Sequence, residues 1–207
     1  MKTKKLVSHS QKNISNEEST RERIVTEAIR LFCHKGYEAT AVHEIVEAAN
    51  VSKPVLYYYF RNKEDLFRQI IENTLFPFQE NLFKICSESK GDFRSALKSI
   101  VDIYIQNAQL YPERVRFIHT IAFSALYDNI FDFMGFWQKN LECVITLFQE
   151  GLRCKYFRKD ISAEVLARNF LSLVMGAVQD ITYGAELFEQ EPSSREIVEI
   201  FLIGVKR

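Results

Sequence analysis

The sequence predicts an all-α protein of about nine helices, and three observations carry that prediction. Only seven glycines and four prolines are spread over 207 residues. Apolar residues recur at helical spacing, as Ile24, Ala28, Leu31 and Phe32 do along one stripe. No segment shows the apolar/polar alternation of a half-buried strand.

The elements follow in order. Residues 1–18 are polar, with Lys2, Lys4, Lys5 and Lys12 and no acid before Glu17, and read as a flexible basic arm. The first helix opens at Ser19, where Ser19 and Glu22 have capping-box spacing, and stops at Gly36. A short helix follows Thr40, whose hydroxyl can cap it, and buries Ile45, Val46 and Ala49. The stretch "ANVS" then turns the chain into a third helix.

That helix has two possible starts. Ser52 caps it and bonds the amide of Val55, or Lys53 caps it and Pro54 opens it. Asn62, with Glu64 and Asp65 close behind, starts a fourth helix that runs into the 80s, with Pro77 as an expected kink. Longer helices are predicted near 92–109, from Pro112 to the mid-120s, over roughly 129–154 and over about 162–186. A second capping box, Ser193 and Glu196, opens the last one at 194–206.

Short helices stand in front and long ones behind, with no flexible linker between. The predicted division is an arm at 1–18, a small domain at 19–67 and a larger helical domain at 68–207, the last boundary falling inside the fourth helix.

Composition narrows the function. Apolar residues make up 47% and charged residues 26%, a globular balance, and the formal net charge is zero. Any attraction to a polyanion must be local, and the first 67 residues do carry a small positive excess. Four scattered cysteines without a Cys-x-x-Cys, and four histidines without an i, i+4 pair, predict no metal, no cofactor and a reducing cytoplasm. No segment approaches the ~18 uncharged apolar residues of a membrane helix, so no membrane role is expected. The absence of a phosphate loop and a nucleophile elbow argues against an enzyme.

Two short helices joined by a turn of about four residues make a helix-turn-helix, whose second helix enters the major groove of DNA. On a helix of ~100° per residue, Leu56 and Phe60 mark the buried side. Tyr58 then points away from it, and Tyr57 and Tyr59 lie on the flanks. Phenols and the ammonium of Lys53 suit phosphates, and Val55 suits a thymine methyl. The rival interpretation is a surface tyrosine cluster on a helical interaction protein, or small-molecule-binding protein, without a DNA role.

The stretch "GYEATAVHEIVEAANVSKPVLYYYFRNKEDLF", Gly36 to Phe67, resembles the DNA-binding domain of the TetR family of transcriptional regulators. Gly36, Tyr37, Thr40, Ile45, Ala49, Val51, Ser52, Leu56, Tyr57, Phe60, Lys63, Glu64 and Leu66 match the family pattern without a gap. Ala41 departs from a common threonine, and Asn50 and Pro54 from common glycines. The resemblance implies DNA contacts by Thr40, Ser52, Lys53, Val55, Tyr57, Tyr58, Tyr59 and Lys63.

It also implies a homodimer built on the helices at 162–186 and 194–206. Phe170, Leu173, Gly176, Ala177, Ile181, Ile197, Ile200 and Phe201 are the expected interface. Between head and dimer helices it implies a pocket for a small hydrophobic effector. The candidates there are Tyr104, His119, Phe123, Tyr127, Phe133, Trp137, Asn140 and Asn169. The expected function is a cytoplasmic repressor released from a palindromic operator in double-stranded DNA by that unidentified effector.

Overall fold

The computed structural model describes the backbone of residues 3–122, 124–184 and 193–206, and the side chains from Ser19 onward within those ranges apart from Ala125. The chain divides into two compact units, Met1–Glu72 and Asn73–Arg207.

In the first unit, helix α1 spans Thr3–Lys35. It therefore takes in residues 3–18, expected as an arm, and Ser19 and Glu22 lie within it rather than at its start. The reason is local: no glycine or proline occurs before Gly36, so nothing stops the helix from propagating backwards. Gly36, at φ 86°, ends it and donates its amide to the Phe32 carbonyl at 3.0 Å.

Helix α2 spans Val42–Ala48, and its N-cap is Ala41, not Thr40. Alanine has no side-chain oxygen, so only half a capping box forms: the Glu44 carboxylate accepts the Ala41 amide at 2.8 Å. Helix α3 spans Lys53–Tyr59, and α4 runs from Lys63 to Glu88. The Asn62 side chain caps α4 by accepting the Asp65 amide at 2.7 Å. Pro77 sits inside α4, and the helix continues through it.

Ile24, Ala28, Phe32, Ile45, Leu56, Phe60 and Phe67 form the centre of this unit's core. The rings of Phe32, Tyr37 and Phe67 close a triangle with centroids 4.5–5.5 Å apart.

Among the described residues, the second unit holds the rest of α4 and five further α-helices. They are α5 (Phe93–Leu110), α6 (Pro112–Ile121), α7 (Phe133–Arg153), α8 (Ala163–Tyr183) and α9 (Ser194–Val205). Helix α6 stops at Ile121, short of the mid-120s, and a 3-10 turn follows at Ala125–Tyr127. Helix α7 begins later than expected because Asp132 caps it, accepting the Gly135 amide at 2.8 Å. Helix α8 ends at Gly184, and the last two residues of its expected span lie outside the described residues. The Ser193–Glu196 capping box forms as the spacing predicts.

Helix α8 packs on α5 and α7, and α9 packs on α5. The rings of Phe148, Phe157, Phe170 and Phe201 meet there in tilted and edge-on pairs. No strand occurs among the described residues, only an isolated antiparallel bridge between Phe157 and Lys206.

Candidate nucleic-acid interface and effector site

The α2–α3 turn is built by Asn50. Its φ of 50° places it in the left-handed region, where asparagine is the best substitute for glycine. This brings the Val51 amide back onto the Val46 carbonyl at 2.9 Å. Helix α3 then leaves the turn with Ser52 as its cap, so the first of the two possible starts is the one adopted. The expected bond from the serine side chain to the Val55 amide does not form. The Ser52 carbonyl accepts that amide instead, at 3.0 Å, and the hydroxyl is not used as a cap.

Leu56 and Phe60 are buried, which fixes the rotation of α3. Tyr58 is 72% exposed and Tyr57 50%, while Tyr59 is partly covered and stands edge-on to Tyr58 at 5.0 Å. Ser52 and Lys53 are exposed at the start of the same helix, and Val55 is partly exposed. Six of the eight expected DNA-contact residues thus lie on the outward side of α3 or at its start.

The other two do not present free groups. Thr40 is 1% exposed, and its hydroxyl donates to the Gly36 carbonyl at 2.7 Å. Lys63 directs its ammonium inward, donating to the carbonyls of Tyr37 at 2.9 Å and Thr40 at 3.1 Å. It also sits 4.2 Å from the centre of the Tyr37 ring. Both residues pin the α1–α2 connection, so a structural task explains them. Arg61, exposed just beyond α3, is a cation that the sequence reading left out. Its position directly after the buried Phe60 was the available signal.

The family model described as bacterial regulatory proteins, tetR family, matches residues 24–70, which hold this whole arrangement. The transcriptional regulator AcrR of Shigella flexneri is 25% identical over 93% of this chain and 92% of its own length. Residues 24–70 thus form a TetR-type DNA-binding domain. Two solved structures share the fold. NalD, the secondary repressor of a Pseudomonas aeruginosa multidrug efflux pump, has a TM-score of 0.69 at 22% identity, over 93% of this chain and 98% of its own. SmeT of Stenotrophomonas maltophilia, in complex with triclosan, also scores 0.69, at 18% identity over 91% and 92%. The chain is a DNA-binding transcriptional regulator and not an enzyme. None of its described helices is long and apolar enough to cross a membrane.

In the second unit, Tyr104, His119 and Trp137 meet on one cavity of about 60 Å³. Phe78, Asn107 and Met175 line it as well, and the last two were not expected at an effector site. Burial holds the His119 imidazole below its ordinary pKa and so favours its neutral form. The indole N–H of Trp137 is buried and has no acceptor among the described residues.

The other expected pocket residues lie elsewhere. Phe133 is fully buried against Phe131. Asn140 is buried, and its side-chain oxygen accepts from Gln79 at 2.7 Å. Asn169 is exposed and bonds its own helix at Val165. Tyr127 is in the 3-10 turn away from the cavity lining, and Phe123 lies outside the described residues.

The expected dimer residues also split. Phe170, Ala177, Ile197 and Phe201 are buried within the chain's own core, and Ile181 packs against it. Leu173 and Ile200 are exposed, the latter by 64%, and a side chain added at Gly176 would meet open space. Ile203, at 85%, lies about one turn beyond Ile200 on the same helix and was not among the expected residues, and Gly204 beside it is open. Core and interface residues share the same apolar types, so periodicity alone could not separate them.

Proposed function

We propose that this regulator is a ligand-responsive repressor that binds a palindromic operator as a homodimer and leaves it when a small apolar effector binds. The observation that carries the DNA step is the outward face of α3, where Tyr57, Tyr58 and Lys53 stand clear of the core formed by Leu56 and Phe60. Phosphate contacts supply most of the affinity, and Val55 and the tyrosines meet base edges.

Dimerisation is supported by the exposed apolar face of Leu173, Ile200 and Ile203, with Gly176 and Gly204 open for close helix approach. The effector site is the cavity of Tyr104, His119 and Trp137. At about 60 Å³ it is well below the ~300 Å³ of ordinary ligand pockets, so binding must expand it. A ligand that stabilises the expanded form shifts the dimer away from the DNA-bound population. An acceptor on that ligand would satisfy the Trp137 indole N–H.

The test is binding to the DNA upstream of the protein's own coding region at two salt concentrations, for wild type and for a Lys53→Ala/Tyr58→Ala variant. Sequence-preferring, salt-sensitive binding that the variant loses supports the reading. No such binding by wild type overturns it, and an unchanged variant moves the interface off α3.

A further inference from the structure

Three of the four cysteines line one groove of about 860 Å³ in the second unit: Cys86, Cys143 and Cys154. Cys86 lies in the last turn of α4, and Cys143 lies midway along α7. Both thiols face that groove and influence each other there. The Cys143 sulfur also lies 4.0 Å from the carbonyl of Leu82, one turn before Cys86. Both cysteines are partly exposed on the groove. Cysteines that only fill a core are enclosed and isolated, whereas this pair shares one groove, on two helices and beside solvent.

We propose that Cys86 and Cys143 form a reversible thiol–disulfide site, oxidised by a hydroperoxide that enters the groove, whose disulfide ties the end of α4 to α7. Cys143 attacks as the thiolate. Its sulfur takes the outer oxygen of the hydroperoxide, the O–O bond breaks, and the leaving alkoxide takes up the proton that Cys143 released. The product is a sulfenic acid. Cys86 then attacks that sulfur, the S–O bond breaks, and hydroxide leaves as water with the Cys86 proton. Two thiols and one hydroperoxide become one disulfide, one alcohol and one water; two electrons pass to the peroxide.

The division of roles agrees with the local electrostatics. The neighbouring thiol holds Cys143 below the ordinary thiol range and pushes Cys86 above it, with burial adding to the rise. Cys154 is the weaker candidate, because its hydrogen bond to Glu150 keeps it protonated. Closing an S–S bond of ~2.05 Å requires the two helices to draw together at Cys86. That end of α4 is the place for such a shift. It runs into a short turn, with Lys90 at φ 44° and Gly91 at φ 88°, before α5 begins at Phe93.

The experiment treats the reduced full-length protein with hydrogen peroxide and maps its peptides without reduction. A Cys86–Cys143 link that dithiothreitol reverses, that Cys86→Ser and Cys143→Ser abolish, and that Cys154→Ser leaves in place is the expected result. Over-oxidation of Cys143 without a link, or a link through Cys154, overturns the proposal. The wild-type map decides this even if a serine variant fails to fold.

A second measurement rests on the repressor reading: operator affinity of the oxidised wild type is expected to fall roughly ten-fold, and that of Cys86→Ser to stay constant. An intact disulfide with unchanged affinity overturns the link to DNA. A reduced protein that binds no DNA overturns the repressor reading and leaves the thiol pair to its own peptide map.

Discussion

Lys53 and Lys63 carry the same charge and have different tasks. Lys63 spends its ammonium on the Tyr37 and Thr40 carbonyls, while Lys53 faces solvent at the start of α3. Lys63→Ala is therefore expected to lower stability by about 2 kcal/mol, because two buried-side acceptors lose a charged donor. Lys53→Ala should leave stability within about 0.5 kcal/mol and reduce the salt slope of DNA binding by about one. Urea titration and fluorescence anisotropy separate the two. The turn residue Asn50 makes a second test. Asn50→Ala should cost about 1 kcal/mol for a left-handed φ, while Asn50→Gly stays within a few tenths. An alanine variant as stable as wild type would show that the turn tolerates another conformation.

At the scale of elements, capping decides where helices begin, and close packing decides what can lie beside them. Gly151, near the end of α7, is in contact with the Phe157 ring: an added Cβ would stand 2.3 Å from Cε2 of that fully buried side chain. Phe157 also packs on Phe93 and Phe148, so it has nowhere to retreat. Gly151→Ala is expected to destabilise by roughly 2 kcal/mol or more through overpacking, read as a lower melting temperature. A neutral result would mean that the Phe157 segment moves as a unit. The Ser193–Glu196 box and Gly36 stop were legible from spacing because caps are local chemistry. The long α1 was not, because a polar stretch without breakers reads equally as arm or helix.

At the scale of the whole molecule, Leu173 on α8 and Ile200 and Ile203 on α9 are exposed apolar side chains that the proposed dimer would cover. Ile203→Asp is expected to shift the protein to monomer in light scattering and to weaken operator binding by at least about ten-fold, since two linked heads bind together. A dimer that persists in this variant with unchanged DNA affinity would place the interface elsewhere. Substituting the buried neighbour Phe201 would report on folding instead, because its ring sits among Phe148 and Phe170.

The sequence by itself determined the all-α class, most helix positions, the helix-turn-helix and the inward turn of Leu56 and Phe60. These follow from periodicity, caps and glycine stops, which act over a few residues. It also singled out Tyr57 and Tyr58 as outward groups, since a helix with a buried side leaves the other side no choice. Only the tertiary structure decided that Thr40 and Lys63 are used internally, and that Phe170 and Phe201 belong to the core while Ile203 does not. Only it brought Cys86 and Cys143 together from two helices distant in sequence. In each case the deciding partner is remote in the chain, or is a backbone carbonyl that every residue carries, so no pattern of side chains could mark it.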